Sequence, residues 1–193
     1  MSILTVRHAC FLLEITVMKL SEIRNLTLAA MFLAAGQVLP FITGQIPQIG
    51  SMLLPMHFPI FLCAFFCGPR YAALIGLICP LLRSVLFGMP AMFPTAAAMA
   101  FELCGYGLIT DLVYRDGKQD SLLWIYVSLH CGMLGGRIIW GIAQTILLGA
   151  SGAQAFTFQM FLARGFLNAI PGIIAQLILV PLLVKALNRH TAH

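Results

Sequence analysis

The sequence predicts an all-α integral membrane protein with six transmembrane helices and both termini in the cytoplasm. Of its 193 residues, 61% are hydrophobic and only 9% are charged, whereas soluble domains carry about 25% charged residues. If the apolar stretches are drawn as six spans, the outer loops 43–55, 88–94 and 149–157 contain no Lys or Arg. The loop and tail cations all lie on the opposite side: Arg7, Lys19, Arg24, Arg70, Arg115, Lys118, Lys185 and Arg189. This is the positive-inside pattern of membrane proteins.

The spans follow one another through short connections, so the sequence indicates a single six-span membrane domain over residues 18–193. Residues 1–17 form an N-terminal extension of uncertain status: either translation starts after them, or they form a short interfacial helix. They lack the small-residue cleavage site of a signal peptide. The six spans are predicted at about 26–42, 56–67, 71–87, 95–114, 122–148 and 158–187. The second is short for a full crossing.

Three prolines lie inside predicted spans, namely Pro80 in the third span and Pro171 and Pro181 in the last. A proline in a helix lacks a donor N–H and frees a carbonyl of the preceding turn, so kinks are expected there. The two halves of the chain show no repeat, which argues against an inverted-repeat secondary transporter.

The sequence contains none of the motifs that would indicate catalysis. It has no Walker-type G-x-x-x-x-G-K-[ST], no H-E-x-x-H and no G-x-S-x-G. Ser84 has no nearby general base. We therefore expect no catalytic residues and no enzymatic activity, and any ATP-driven role would require partner subunits.

Cofactors, metals and nucleic acids are also not expected. Cys63 and Cys67 lie one helical turn apart, but no His or acidic residue lies within a turn of either to complete a metal site. Apolar packing explains these cysteines better. The net charge of +5 comes from cytoplasmic loops, tails and intramembrane arginines, so it reports topology and does not indicate nucleic acid.

The first span carries a face of small residues. Ala30 and Ala34 are separated by three residues, a spacing that lets another helix approach closely. Two interpretations remain open at this point: docking of a partner protein, or internal packing within the bundle.

Three arginines and one glutamate lie well inside spans: Arg83, Glu102, Arg137 and Arg164. Charges in a membrane are costly and usually indicate a substrate pathway or binding site. Counted at about 1.5 Å per residue from the outer helix ends, all four lie in the outer half of the membrane or near its midplane. The predicted site therefore opens outward.

This set contains three cations and one anion. Glu102 is expected to neutralise Arg137, which leaves two positive charges for an anionic ligand such as a carboxylate or phosphate. Two other interpretations stay open. Arg83 and Arg164 lie within two turns of an outer end and could reach lipid headgroups, and the Arg137–Glu102 pair could be purely structural.

Uncharged polar residues extend the candidate site. Four of them could face the same cavity, although each could equally make a helix–helix hydrogen bond: His57, Asn168, Gln144 and Gln48. The predicted substrate-binding set is Arg83, Glu102, Arg137, Arg164, Asn168 and His57.

Two stretches carry a family resemblance. They are Ala30-Met31-Phe32-Leu33-Ala34 in the first span and the central stretch 54–109, LPMHFPIFLCAFFCGPRYAALIGLICPLLRSVLFGMPAMFPTAAAMAFELCGYGLI. With the size and the six-span pattern, they resemble the substrate-binding S component of energy-coupling-factor (ECF) vitamin transporters, over most of residues 18–188. The resemblance implies an S-component-like bundle in the bacterial cytoplasmic membrane.

The resemblance further implies a function. An S component binds a vitamin or vitamin precursor from outside and delivers it inward with a T component and two cytoplasmic ATPases. Ala30 and Ala34 would then dock on the T component. Within this family the excess of arginine favours an anionic vitamin, pantothenate first, while uncharged vitamins, cobalamin, folate and other precursors stay open. The rival interpretation is a stand-alone small-solute transporter or a structural membrane subunit without ATPase partners.

Overall fold

The computed structural model describes the backbone of residues 3–42, 52–117, 121–150 and 156–191, and the side chains of residues 20–41, 52–117, 121–150 and 156–187. All regular secondary structure in these ranges is helical, which confirms the predicted all-α class. The helices are α1 Ile3–Ile42, α2 His57–Cys67, α3 Pro69–Phe87, α4 Ala97–Asp116, α5 Leu122–Ala150, α6 Phe158–Leu162 and α7 Ile170–Thr191. Two π-helical turns, Met92–Ala96 and Ala163–Leu167, precede α4 and follow α6, and the first is kinked by extended backbone at Phe93.

Within the described residues, five helices are long and apolar enough to cross a membrane. They are Leu20–Phe41, Pro69–Phe87, Met92–Asp116, Leu122–Ala150 and Ile170–Leu187. Five of the six predicted spans thus correspond to helices of spanning length. The exception is α2, which is apolar but has only 11 residues, whereas a full crossing needs about 20.

The short helix α2 is enclosed by protein. Ile60, Phe61, Cys63 and Ala64 are completely buried, and α2 packs against α1, α3, α4 and α7. Because protein surrounds it, its ends need not reach both bilayer surfaces for its backbone to be satisfied.

The N-terminal extension is continuous with the first span. Helix α1 begins at Ile3 and runs through Pro40 to Ile42 without a break, so the backbone of residues 3–17 is helical. The apolar part long enough to span is Leu20–Phe41. Most of the predicted outer loop 43–55, including Gln48, lies outside the described residues.

The last predicted span, 158–187, is not one regular α-helix. Helix α6 ends at Leu162, a π-helical turn covers Ala163–Leu167, and α7 begins only at Ile170. Pro171 is the second residue of α7, where its missing N–H costs nothing because the first N–H groups of a helix have no intrahelical acceptor. Pro181 does lie inside α7, and Pro80 lies inside α3.

Glycines bring α3, α4 and α5 into close contact. A Cβ atom on Gly76 of α3 would lie 2.5 Å from the Leu103 carbonyl oxygen of α4. A Cβ atom on Gly105 of α4 would lie 3.4 Å from the Gly136 Cα atom of α5. Only a residue without a side chain permits such backbone approach. The three helices therefore form the rigid centre that positions the polar residues described next.

Candidate functional site

A buried polar cluster surrounds the carboxylate of Glu102. Its Oε1 atom lies 2.7 Å from Arg137 Nη1 and accepts a 2.7 Å hydrogen bond from the Tyr106 hydroxyl. His57 Nε2 is 3.8 Å from the same oxygen, which is beyond hydrogen-bond range. The pairing of Glu102 with Arg137 predicted from the charge balance is confirmed. We refer to Glu102, Arg137, Tyr106 and His57 as the Glu102 cluster.

Helix geometry explains how these residues meet. Glu102 and Tyr106 are four residues apart on α4 and so share one face. Gly136 precedes Arg137 on α5, and a Cβ atom there would overlap the Tyr106 ring and lie 2.9 Å from the Glu102 carbonyl oxygen. The absence of a side chain at Gly136 thus lets α4 pack closely against α5. His57 is the first residue of α2, which places the imidazole at the predicted outer end of that helix.

Aromatic rings form one wall of the cluster. The Phe61 ring stacks on the Tyr106 ring with centroids 5.0 Å apart, and the His57 ring lies 5.4 Å from that of Tyr106. Phe61 is completely buried. These contacts hold the Tyr106 ring in the position in which its hydroxyl reaches Glu102.

Several buried polar atoms have no hydrogen-bond partner among the described residues. They include Nδ1 and Nε2 of His57 and Oε1 of Gln144. Gln144 is 3% exposed and lies seven residues after Arg137 on the same face of α5. An unpaired buried polar group costs about 1–3 kcal/mol, so these atoms are suited to receive a polar ligand or water.

Arg137 also has donors that Glu102 does not use. A guanidinium carries five N–H groups, and within the described part of the chain its ion pair is made through Nη1 with Glu102 Oε1. The side chain is 5% exposed. Arg137 can therefore neutralise Glu102 and still donate to a bound oxygen atom.

Arg83 lies apart from the Glu102 cluster, between α1 and α3. Its Nη1 atom donates a 2.6 Å hydrogen bond to the Gln37 carbonyl oxygen, and its guanidinium lies 5.1 Å from the ring centroids of both Phe41 and Phe87. The side chain is 3% exposed. Its charge is thus held by a carbonyl and two aromatic faces, so in this arrangement Arg83 does not extend toward lipid headgroups.

Arg164 and Asn168 are exposed, on and just after the second π-helical turn. The adjacent Gly165 is buried, and a Cβ atom on it would lie 3.6 Å from the Trp140 ring and 3.9 Å from Arg137 Cδ. The backbone between Arg164 and Asn168 thus packs close to the Arg137 side chain. The described contacts do not bring the Arg164 side chain into the Glu102 cluster.

The small face of α1 points away from the bundle. Ala30 and Ala34 are exposed, while their neighbour Ala29 is 2% exposed and belongs to the core. Met31 and Val38 extend the same outward surface, with more than half of each side chain exposed. This surface is free for contact with lipid or with another protein.

Sequence reasoning did not identify Tyr106, Gln37 or Gln176 as important. Tyr106 could have been found from its position one turn after Glu102. Gln176 is 1% exposed and its Nε2 atom lies 3.5 Å from the Leu54 carbonyl oxygen, a contact between segments 122 residues apart that has no local signal. Among the described residues, no group of three or more His, Cys, Asp or Glu side chains could hold a metal.

One comparison with known proteins identifies the chain. The family described as "ECF transporter, substrate-specific component" matches residues 24–184, which include every described residue of the Glu102 cluster. No curated protein and no solved structure matches the chain. On this match over most of its length, the chain belongs to the family of substrate-specific components of ECF transporters.

Proposed function

We propose that this protein is the substrate-capture subunit of an ECF-type ABC importer and binds a vitamin or vitamin precursor at the Glu102 cluster. The observation that carries this proposal is a buried ion pair beside His57, whose two ring nitrogens have no hydrogen-bond partner among the described residues. A purely structural pair would be expected to have its surroundings satisfied. In a binding site for a polar ligand, some donors and acceptors gain a hydrogen-bond partner only when the ligand binds.

The chemistry of the cluster favours a small ligand with a carboxylate. The guanidinium of Arg137 suits an oxyanion, since guanidinium–carboxylate bonds are among the strongest hydrogen bonds in proteins. The imidazole of His57 can donate or accept, and Gln144 Oε1 accepts from a hydroxyl or amide. Pantothenate combines a carboxylate with hydroxyl and amide groups, so it remains our first candidate.

A neutral vitamin is the second candidate. Glu102 already balances the charge of Arg137, and Arg83 is occupied by Gln37 and two aromatic rings. The cluster therefore has no net charge if His57 is neutral. An uncharged, hydroxyl-rich ligand would also satisfy His57 and Gln144 without requiring a further cation.

Delivery to the cytoplasm would need partners, because no Walker-type motif occurs in the chain. We propose a T component and two ATPases in the bacterial cytoplasmic membrane, with Ala30 and Ala34 at the contact with the T component. Their exposure on α1 supports this assignment, because small exposed residues allow close helix approach in a membrane.

Mass spectrometry of small molecules released from the purified protein tests the proposal. Wild-type protein should release one vitamin-sized compound at near-stoichiometric amount. His57→Leu should release much less, while Arg70→Gln, which alters an exposed residue outside the cluster, should match the wild type. Uptake that persists in cells lacking every T component would overturn the importer assignment in favour of a stand-alone transporter.

A further inference from the structure

An apolar groove lies along the C-terminal half of α5, and none of its lining residues belongs to the Glu102 cluster. Its volume is about 500 Å³, within the range of small-molecule pockets, ~300–1,000 Å³. The apolar residues that line it come from α5 and from the segment through α6: Ile138, Ile142, Ile146, Phe156, Phe158 and Phe161. The three isoleucines each have more than half of their side chain exposed, so the groove opens to the surroundings of the bundle.

The groove offers few hydrogen-bonding side chains. Of its lining residues only Thr145 and Thr157 are polar. The Thr145 hydroxyl donates to the Gly141 carbonyl at 2.8 Å, and Thr157 Oγ1 accepts from the Met160 N–H at 3.3 Å. A vitamin with several polar groups would lose most of its hydration there and gain few hydrogen bonds in return. A hydrocarbon chain makes no hydrogen bonds to water, so it loses none on entering the groove.

The hydropathy of α5 places this groove in contact with lipid. Leu122–Ala150 is long and apolar enough to span the membrane, and the groove faces outward from it. Acyl chains of the bilayer are therefore its immediate neighbours. At the same end of the molecule, Arg164 follows Phe161 by three residues, and residues at that spacing lie on neighbouring positions of a helix.

Arg164 supplies a charge that an apolar groove alone would lack. It is exposed, and no carboxylate lies within ion-pair distance of it among the described side chains. An arginine at the membrane surface attracts anionic headgroups by about 1 kcal/mol. We propose that this groove binds an anionic phospholipid, with an acyl chain between α5 and α6 and the headgroup phosphate on Arg164.

Native mass spectrometry with phosphatidylglycerol and phosphatidylcholine of identical acyl chains tests this site. Wild-type protein should retain one phosphatidylglycerol about fivefold better than phosphatidylcholine. Arg164→Gln should remove that preference, while Arg70→Gln should keep it. Thr145→Phe should fill the groove and reduce retention of both lipids, whereas Leu123→Phe, at another exposed position of α5, should not.

Equal retention of the two lipids by wild-type protein would overturn the proposal. So would unchanged retention in Thr145→Phe, or a Thr145→Phe protein that loses its vitamin but keeps its lipid, since the groove would then belong to the substrate. Conversion of a wild-type dimer into a monomer by Thr145→Phe would instead assign the groove to a second copy of the chain. Because lipid retention and vitamin release are separate readouts, failure here leaves the proposed function intact.

Discussion

Arg137 Nη1 lies 2.7 Å from Glu102 Oε1, with both side chains almost completely buried. Each of these buried charges depends on the other for its stabilisation, because a single buried charge without a partner is far more costly than the pair. The pair also joins the middle of α5 to α4 at the level where His57 begins α2. Its removal should therefore affect both the stability of the bundle and the binding of the ligand, and these two effects can be separated.

The first prediction concerns stability. Arg137→Met leaves Glu102 buried without its cation and should destabilise the protein by about 3–5 kcal/mol. The double variant Arg137→Met/Glu102→Gln removes both charges, keeps an oxygen that can accept from Tyr106, and should regain most of that loss. Thermal unfolding in detergent measures the difference, with Arg70→Met as the exposed control. If the single and double variants unfold at the same temperature, the two side chains are not energetically coupled.

The second prediction concerns the close contact of α4 and α5. Gly136→Ala puts a Cβ atom into the Tyr106 ring and 2.9 Å from the Glu102 carbonyl oxygen, so it should cost about 1–3 kcal/mol through overpacking. Gly149→Ala is the matched control on the same helix. A Cβ atom there has no neighbour within 4 Å, so it should be neutral or slightly stabilising. Equal unfolding temperatures for the two variants would contradict this packing.

The third prediction separates two roles for Arg83. Because Arg83 binds the Gln37 carbonyl and lies between Phe41 and Phe87, Arg83→Ala should lower the unfolding temperature and leave ligand affinity within about twofold. Arg83→Lys should be intermediate, since an ammonium keeps the charge but loses the planar stack. A tenfold loss of affinity without any loss of stability would identify Arg83 as a ligand residue, as the charge balance of the sequence first suggested.

The fourth prediction concerns partner docking by α1. Ala34→Trp and Ala30→Trp should weaken co-purification with a T component and its ATPases from the same organism. Ligand binding by the isolated protein should persist, because both residues face away from the bundle. Ala29→Trp, at a buried position, should reduce folded yield instead. If Ala34→Trp unfolds the protein while assembly of Ala30→Trp is normal, the small face serves internal packing.

The sequence alone predicts a large part of this arrangement, for physical reasons. Apolar length indicated the spanning helices, and charge balance correctly paired Glu102 with Arg137, because an isolated carboxylate in a membrane needs a cation. The acceptor of Arg83 could not be predicted. It is a backbone carbonyl on another helix. Because every residue has a backbone carbonyl, the sequence does not distinguish this acceptor from any other.

The break in the last predicted span was hidden for a related reason. Continuous hydrophobicity over 158–187 is compatible with one helix. No proline lies at the irregular turn after Leu162, because Pro171 is at the start of α7. The buried Gly165 shows what determines the local path, since it packs close to Trp140 and the Arg137 side chain. Such tertiary contacts override local sequence preference.

The most direct test of the central claim is the equilibrium affinity of the co-purified vitamin for the charge-neutral double variant Arg137→Met/Glu102→Gln. This variant is expected to fold, so its binding reports on the site and not on stability. Loss of the charge-assisted bond to a carboxylate, worth about 1.5–3 kcal/mol, should weaken binding roughly ten- to a hundredfold, and the wild type should prefer the carboxylate over its amide analogue. Wild-type affinity in the folded double variant would contradict binding of a carboxylate by Arg137.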